Sequence, residues 1–138
     1  LPENSLWDQH LTDYLYGGDE HYRLCQEAVL GIGGITMLRA LGYTNIAAYH
    51  MNEGHSALLA LALLREQSIR SGKPVDAHES VELVREQCIF TTHTPVSAGI
   101  DLFPISLVKQ VLVDEAAWSV FLMIDSIWFI SHFIFPVI

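Results

Sequence analysis

The stretch "NIAAYHMNEGHSALLALALL", Asn45 to Leu64, decides the fold. Asn45 to Met51 is short and apolar and reads as a buried strand, which "NEG" then breaks. Residues 55–70 follow as a helix that is apolar nearly all round in "ALLALALL", so it must be buried on more than one side. The pattern returns downstream. "SGKPVD" is a loop, Asp76 is placed to cap a helix with Glu79 at the third position of a capping box, and "CIFTT" (Cys88 to Thr92) reads as a second buried strand. "HTPVSAG" is the loop after it, and residues 104–115 read as another helix. Upstream, residues 1–19 are polar with scattered aromatics and end in the turn "YGGD". A helix opens at Asp19 with acids in its first turn, where they suit the helix dipole. Its Tyr22, Cys25, Val29 and Ile32 recur at three- and four-residue spacing, and Gly42 is the stop signal. The order helix, strand, helix, helix, strand, helix predicts an α/β layered fold with a parallel sheet.

The 138 residues suit one modest domain, and 51% of them are apolar, enough for a core. Seven Lys and Arg stand singly among sixteen acids, so there is no basic stripe and no nucleic-acid partner is expected. Cys25 and Cys88 lie far apart without metal-ligand spacing, which fits reduced, buried thiols in a cytoplasmic protein. The start, "LPENSLWDQH", has neither a basic segment nor an apolar one, so it is no signal peptide. It reads as the middle of a loop, and the chain is expected to be a fragment.

The last stretch differs in style. "WSVFLMIDSIWFISHFIFPVI", Trp118 to Ile138, carries one charge, Asp125. Its length permits a membrane span, but a mid-span charge is costly and no basic flank orients it, so a membrane partner is not expected. A buried helix or strand pair is a second reading. The favoured one is a sequence foreign to the protein, from a frameshift or read-through, which divides the chain into residues 1–115 and an apolar tail, 116–138.

His50 and His55 raise the question of metal. Zinc proteases place two histidines at i and i+4 on one helical face. A five-residue step turns a helix by about 500° and leaves the rings about 140° apart; Gly54 also intervenes, so that reading fails. The strand–turn–helix context offers another. Ligands of a parallel sheet bind at the carboxyl ends of its strands. Asn52, Glu53 and His55 stand at such an end, beside the unpaired N–H groups of a helix N-terminus. His93 leaves the second strand on the same rim, so Glu53, His55 and His93 can line one crevice for a polyhydroxylated ligand. Spacing alone supports equally well that each histidine only satisfies loop backbone groups. His50, still inside the strand, is expected to pack in the core. "GIGG", Gly31 to Gly34, lacks a third glycine at Thr36 and follows a helical pattern, so close helix packing explains it better than a dinucleotide loop. No nucleophile elbow, P-loop or zinc spacing is present, and no residue is assigned as catalytic or as a metal ligand.

"LYGGDEHYRLCQE", "YHMNEGHSALL" and "FTTHTPVSAG.D.FP", in this order and spacing, resemble the α-glucan (glycogen/starch) phosphorylase family, most of all its short bacterial and archaeal branch. The resemblance covers roughly residues 1–115 and implies part of the N-terminal half of a GT-B glycosyltransferase, a Rossmann-like domain facing a second one across a crevice. It implies transfer of a terminal α-1,4-linked glucose from a glucan to inorganic phosphate, giving glucose 1-phosphate. It also implies pyridoxal phosphate, held as a Schiff base by a lysine in the C-terminal half and absent from this chain. By the same resemblance His93 matches the histidine that hydrogen-bonds the glucose at the cleavage site. Asn52, Glu53 and His55 match an Asn-Asp-Thr-His segment at that crevice, where long phosphorylases usually carry aspartate in place of Glu53. Arg23 matches an arginine near the nucleotide effector site of animal enzymes and is read here as structural. Sugar transfer to phosphate needs cations to gather phosphate, and seven dispersed Lys and Arg do not suffice, so the chain alone is expected to be inactive. The "NEGH" and "THTPV" pair also occurs in similar form in starch and glycogen synthases, which leaves a synthase-like GT-B enzyme or a non-catalytic glucan-binding half-domain as alternatives.

Overall fold

A computed structural model of the protein describes residues 2–15, 17–91 and 101–112. His93 and residues 116–138 lie outside the described residues.

The polar N-terminal stretch, expected as loop, contains one helical turn, α1 (Leu6–Gln9). Ser5 caps it by accepting from the Asp8 N–H at 3.2 Å, and Trp7 packs edge-on against Tyr22. The helix expected to open at Asp19 is α2 (Glu20–Ala28), and Asp19 is its N-cap, its Oδ1 accepting from the Tyr22 N–H at 2.9 Å. The buried face of α2 is not the expected one. Leu24, Glu27 and Gly31 face inward, while Val29 is exposed and Tyr22, Cys25 and Ile32 are only half-buried. Two causes act together. A pattern of apolar residues skips a buried acid and a glycine, and a π turn at Val29–Gly33 shifts the register before α3 (Gly34–Ala40) resumes. Gly31 does serve close packing: a Cβ there would lie 2.6 Å from the Leu59 nitrogen and 2.9 Å from the Leu58 carbonyl carbon. Gly42, at φ +87, ends α3 as expected. The Tyr43 N–H reaches the Leu38 carbonyl and the Gly42 N–H that of Arg39, the paired bonds of a Schellman close.

Two parallel strands follow, β1 (Tyr49–Asn52) and β2 (Cys88–Thr91), with Tyr49 opposite Cys88 and Asn52 opposite Thr91. The chain is therefore a mixed α/β structure with a small parallel sheet, as its element order predicts. β1 starts four residues later than the apolar run suggests. Its alternation buries Tyr49 and Met51 and exposes His50, whose Nε2 instead meets the Thr91 hydroxyl; His50 is not a core residue. β2, expected as buried, is only half-buried, with Ile89 exposed.

Between the strands run α4 (Leu58–Ser71) and α5 (His78–Gln87). α4 buries Leu58, Ala60, Leu61, Leu63 and Leu64, positions spread round most of its circumference, because the π turn lies on one side and α5 on another. The expected capping box of α5 does not form. Its N-cap is Ala77, without a side-chain bond, and the Glu79 carboxylate pairs with Lys73 instead, which holds it below its usual range. The last helix among the described residues, α6 (Ile105–Val111), packs on α2 and buries Val108; residues 113–115 of the expected helix lie outside the described residues. Leu24, Ile35, Met51, Leu58, Leu61 and Val84 form the centre of one core that joins helices to sheet. Cys25 and Cys88 are free and half-buried rather than fully buried; burial pushes the Cys88 thiol up to about 11, away from reactivity. Among the described residues, no helix is long and apolar enough to cross a membrane.

Candidate functional site

Parallel pairing brings the carboxyl ends of β1 and β2 together, and the Glu53 N–H extends the ladder by one bond to the Thr91 carbonyl at 2.9 Å. The chain then turns sharply. Glu53 adopts φ 59 and ψ −169, a conformation that L-residues rarely take, and it is buried. Such strain costs of order 1–3 kcal/mol and persists only where the surrounding structure enforces it. Asn52, just before it, is exposed. A single 3-10 turn, Gly54–Ser56, carries His55 into α4. The structure thus puts Asn52, Glu53 and His55 at one strand end, where the sequence predicts a ligand; the fourth expected residue, His93, lies outside the described residues.

His55 has neighbours that sequence reasoning did not choose. Its Nδ1 stands 3.7 Å from Glu27 Oε1 on α2 and 3.6 Å from Asp101 Oδ2, four residues before α6. Arg23, one turn before Glu27, ion-pairs with Asp101 Oδ1, so its structural reading has a visible partner. Glu27 is 8% exposed. Burial first, then the charge of Asp101 and a hydrogen bond with it, push the Glu27 carboxyl up to about 8, against the opposing pull of Arg23. At neutral pH the carboxyl is therefore largely protonated and able to donate. Beside Glu27 and His55 lies a pocket of about 200 Å³, walled by Thr12, Leu15, Arg23, Gln26 and Leu30. Both missed acids stand inside the quoted motifs, Glu27 as the last residue of "LYGGDEHYRLCQE" and Asp101 as the aspartate of the third. The available signal for Glu27 was an acid on the inward side of α2, three residues after the fully buried Leu24.

A second pocket, about 230 Å³, lies near Tyr49 at the amino end of β1. Its Arg39 is already engaged: it reaches both Glu66 oxygens, the Tyr49 hydroxyl at 2.7 Å and the Tyr43 carbonyl at 2.7 Å. That guanidinium ties α3, α4 and β1 together rather than waiting for an anion. The site residues also do not fit a pyridoxal phosphate. The sequence has two lysines; Lys73 is paired with Glu79, Lys109 is exposed on α6, and neither lines the pocket at His55.

No protein-family model matches the chain, and no solved structure matches it. Curated proteins do. A glycogen phosphorylase of Mycobacterium tuberculosis is 40% identical over 121 residues, which is 83% of this chain and 14% of the relative. A maltodextrin phosphorylase of Thermococcus litoralis is 42% identical over 113 residues, 80% of this chain and 13% of the relative. A glycogen phosphorylase of Aquifex aeolicus is 31% identical over 110 residues, again 80% of the chain and 15% of the relative. The chain thus spans about one-seventh of the length of the relatives it matches. Over some four-fifths of its length, this chain is similar to glycogen and maltodextrin phosphorylases, at 31–42% identity.

Proposed function

We propose that this chain supplies one wall of the glucan crevice of an α-glucan phosphorylase, with Asn52, Glu53, His55 and His93 binding the sugar. The observation that carries this reading is the 40% identity over 121 residues to a named glycogen phosphorylase. The geometry agrees with it: two parallel strands end together, and a buried, strained Glu53 aims the chain into the turn that holds His55. In this reading the strands belong to the Rossmann-like N-terminal domain of a GT-B fold, in a cytoplasmic enzyme. The reaction moves a terminal α-1,4-linked glucose onto inorganic phosphate. The pyridoxal phosphate of such an enzyme would be held by residues other than the described ones.

The chain by itself binds but does not turn over. Phosphate must be gathered by free cations, and three of the seven Lys and Arg are already engaged, Arg23 by Asp101, Arg39 by Glu66 and Lys73 by Glu79. Electrophoresis through a glycogen-containing gel tests the binding, with glucose 1-phosphate release measured alongside. Retardation that Asn52→Ala and His55→Ala both reduce, with no glucose 1-phosphate formed, is the expected result. Migration unaffected by glycogen would remove the crevice, and product formed by the chain alone would overturn its inactivity.

A further inference from the structure

Behind His55 two acids face one imidazole, and Arg23 pairs with only one of them, Asp101. Two carboxylates and an imidazole converge there from three separate elements, and each offers one donor atom within 4.8 Å of the other two. One of those atoms, Glu27 Oε1, is buried without a hydrogen-bond partner among the described residues, on a side chain only 10% exposed. A buried carboxylate oxygen left unpaired is costly, and in folded proteins a donor or a cation usually answers it. Arg23 answers only part of the need. It takes Asp101 Oδ1 and leaves Oδ2 turned towards His55.

The spacing suits an ion. Ligand atoms held tetrahedrally at about 2.0–2.2 Å from a metal lie about 3.4 Å from one another. His55 Nδ1 stands 3.7 Å from Glu27 Oε1 and 3.6 Å from Asp101 Oδ2, so small side-chain movements close the set. We propose that Glu27, His55 and Asp101 form a binding site for a divalent transition-metal ion of the zinc or manganese type. Arg23 is a positioning residue, holding Asp101 by its outer oxygen. One imidazole among the ligands favours such an ion over magnesium or calcium, which take oxygen alone. The adjoining pocket of about 200 Å³ leaves a fourth position open to water or to an oxygen of another ligand. Bound metal also pins α2, the turn at His55 and the segment before α6 to one another.

The site goes beyond the glucan reading and is tested without any sugar. The full chain is stripped with chelator and titrated with Mn²⁺, free ion being counted by its electron spin resonance signal; Zn²⁺ is then added in competition. One equivalent bound per chain and displaced by Zn²⁺ is expected. Glu27→Gln and His55→Gln should each weaken it at least tenfold, and His50→Gln, at an exposed histidine outside the cluster, should not. The metal should raise the melting temperature of the parent chain but not of Glu27→Gln. Circular dichroism checks each variant's fold, and Asp101→Asn replaces any that fails. No saturable Mn²⁺ binding, or equal binding by the parent, Glu27→Gln and His55→Gln, would overturn the proposal.

Discussion

Replacing Glu27 by Gln should change how stability depends on pH, and the direction follows from the site. In the unfolded chain this carboxyl titrates near 4.5, and in the folded protein it is pushed up to about 8. Between those values the folded state holds a proton that the unfolded state has released, so stability falls as pH rises. Below about 4.5 both states are protonated and the residue costs nothing; above about 8 the full penalty is present. The gap, at about 1.4 kcal/mol per pH unit, comes to about 5 kcal/mol, and solvent screening at this partly open site reduces it to about 3 kcal/mol. Asp101, His55 and Arg23 face the carboxyl, and all three are retained in Glu27→Gln. The glutamine is neutral at every pH and close in shape to the protonated acid. Urea unfolding in chelator at pH 5, 6, 7 and 8 measures the effect, since the difference between parent and variant isolates this one group. The two should be about equally stable at pH 5, and the variant should lead by roughly 3 kcal/mol at pH 8. Parallel profiles would refute the reasoning, because they would mean that Glu27 ionises in the folded protein as it does in the unfolded one.

Gly31→Val should destabilise by about 1–3 kcal/mol or more, measured by urea unfolding, because even its Cβ meets backbone atoms of Leu58 and Leu59 that have no rotamer to escape into. Arg39→Lys should lose about 1–3 kcal/mol, since an ammonium cannot reproduce the fork that meets both Glu66 oxygens together with Tyr49 and Tyr43. The accompanying variant Glu66→Gln in the parent and in Arg39→Lys completes a double-mutant cycle, and additive effects would show that the pair is uncoupled.

The succession of elements was legible in the sequence because it rests on local signals. Asp19 at a helix start, Gly42 at a helix end and the apolar block at α4 each act within a few residues, and each appears where expected. The strand end bearing Asn52, Glu53 and His55 was legible for the same reason, as was the likeness to phosphorylases, carried by three motifs in register. Tertiary structure decided the rest. Asp76 and Glu79 form an acceptable capping box on paper, but Lys73 is near enough to claim the Glu79 carboxylate. His50 lies in an apolar run, yet a four-residue strand with its side chains alternating turns it outward. The π turn shifts the inward face of the N-terminal helices, which no uniform period anticipates. Above all, His55 meets Glu27 and Asp101 across separations of 28 and 46 residues in the chain. Local signals state which residues favour a helix, a strand or a turn. Only packing brings two acids and an imidazole into one buried space, where their charges and protons depend on each other.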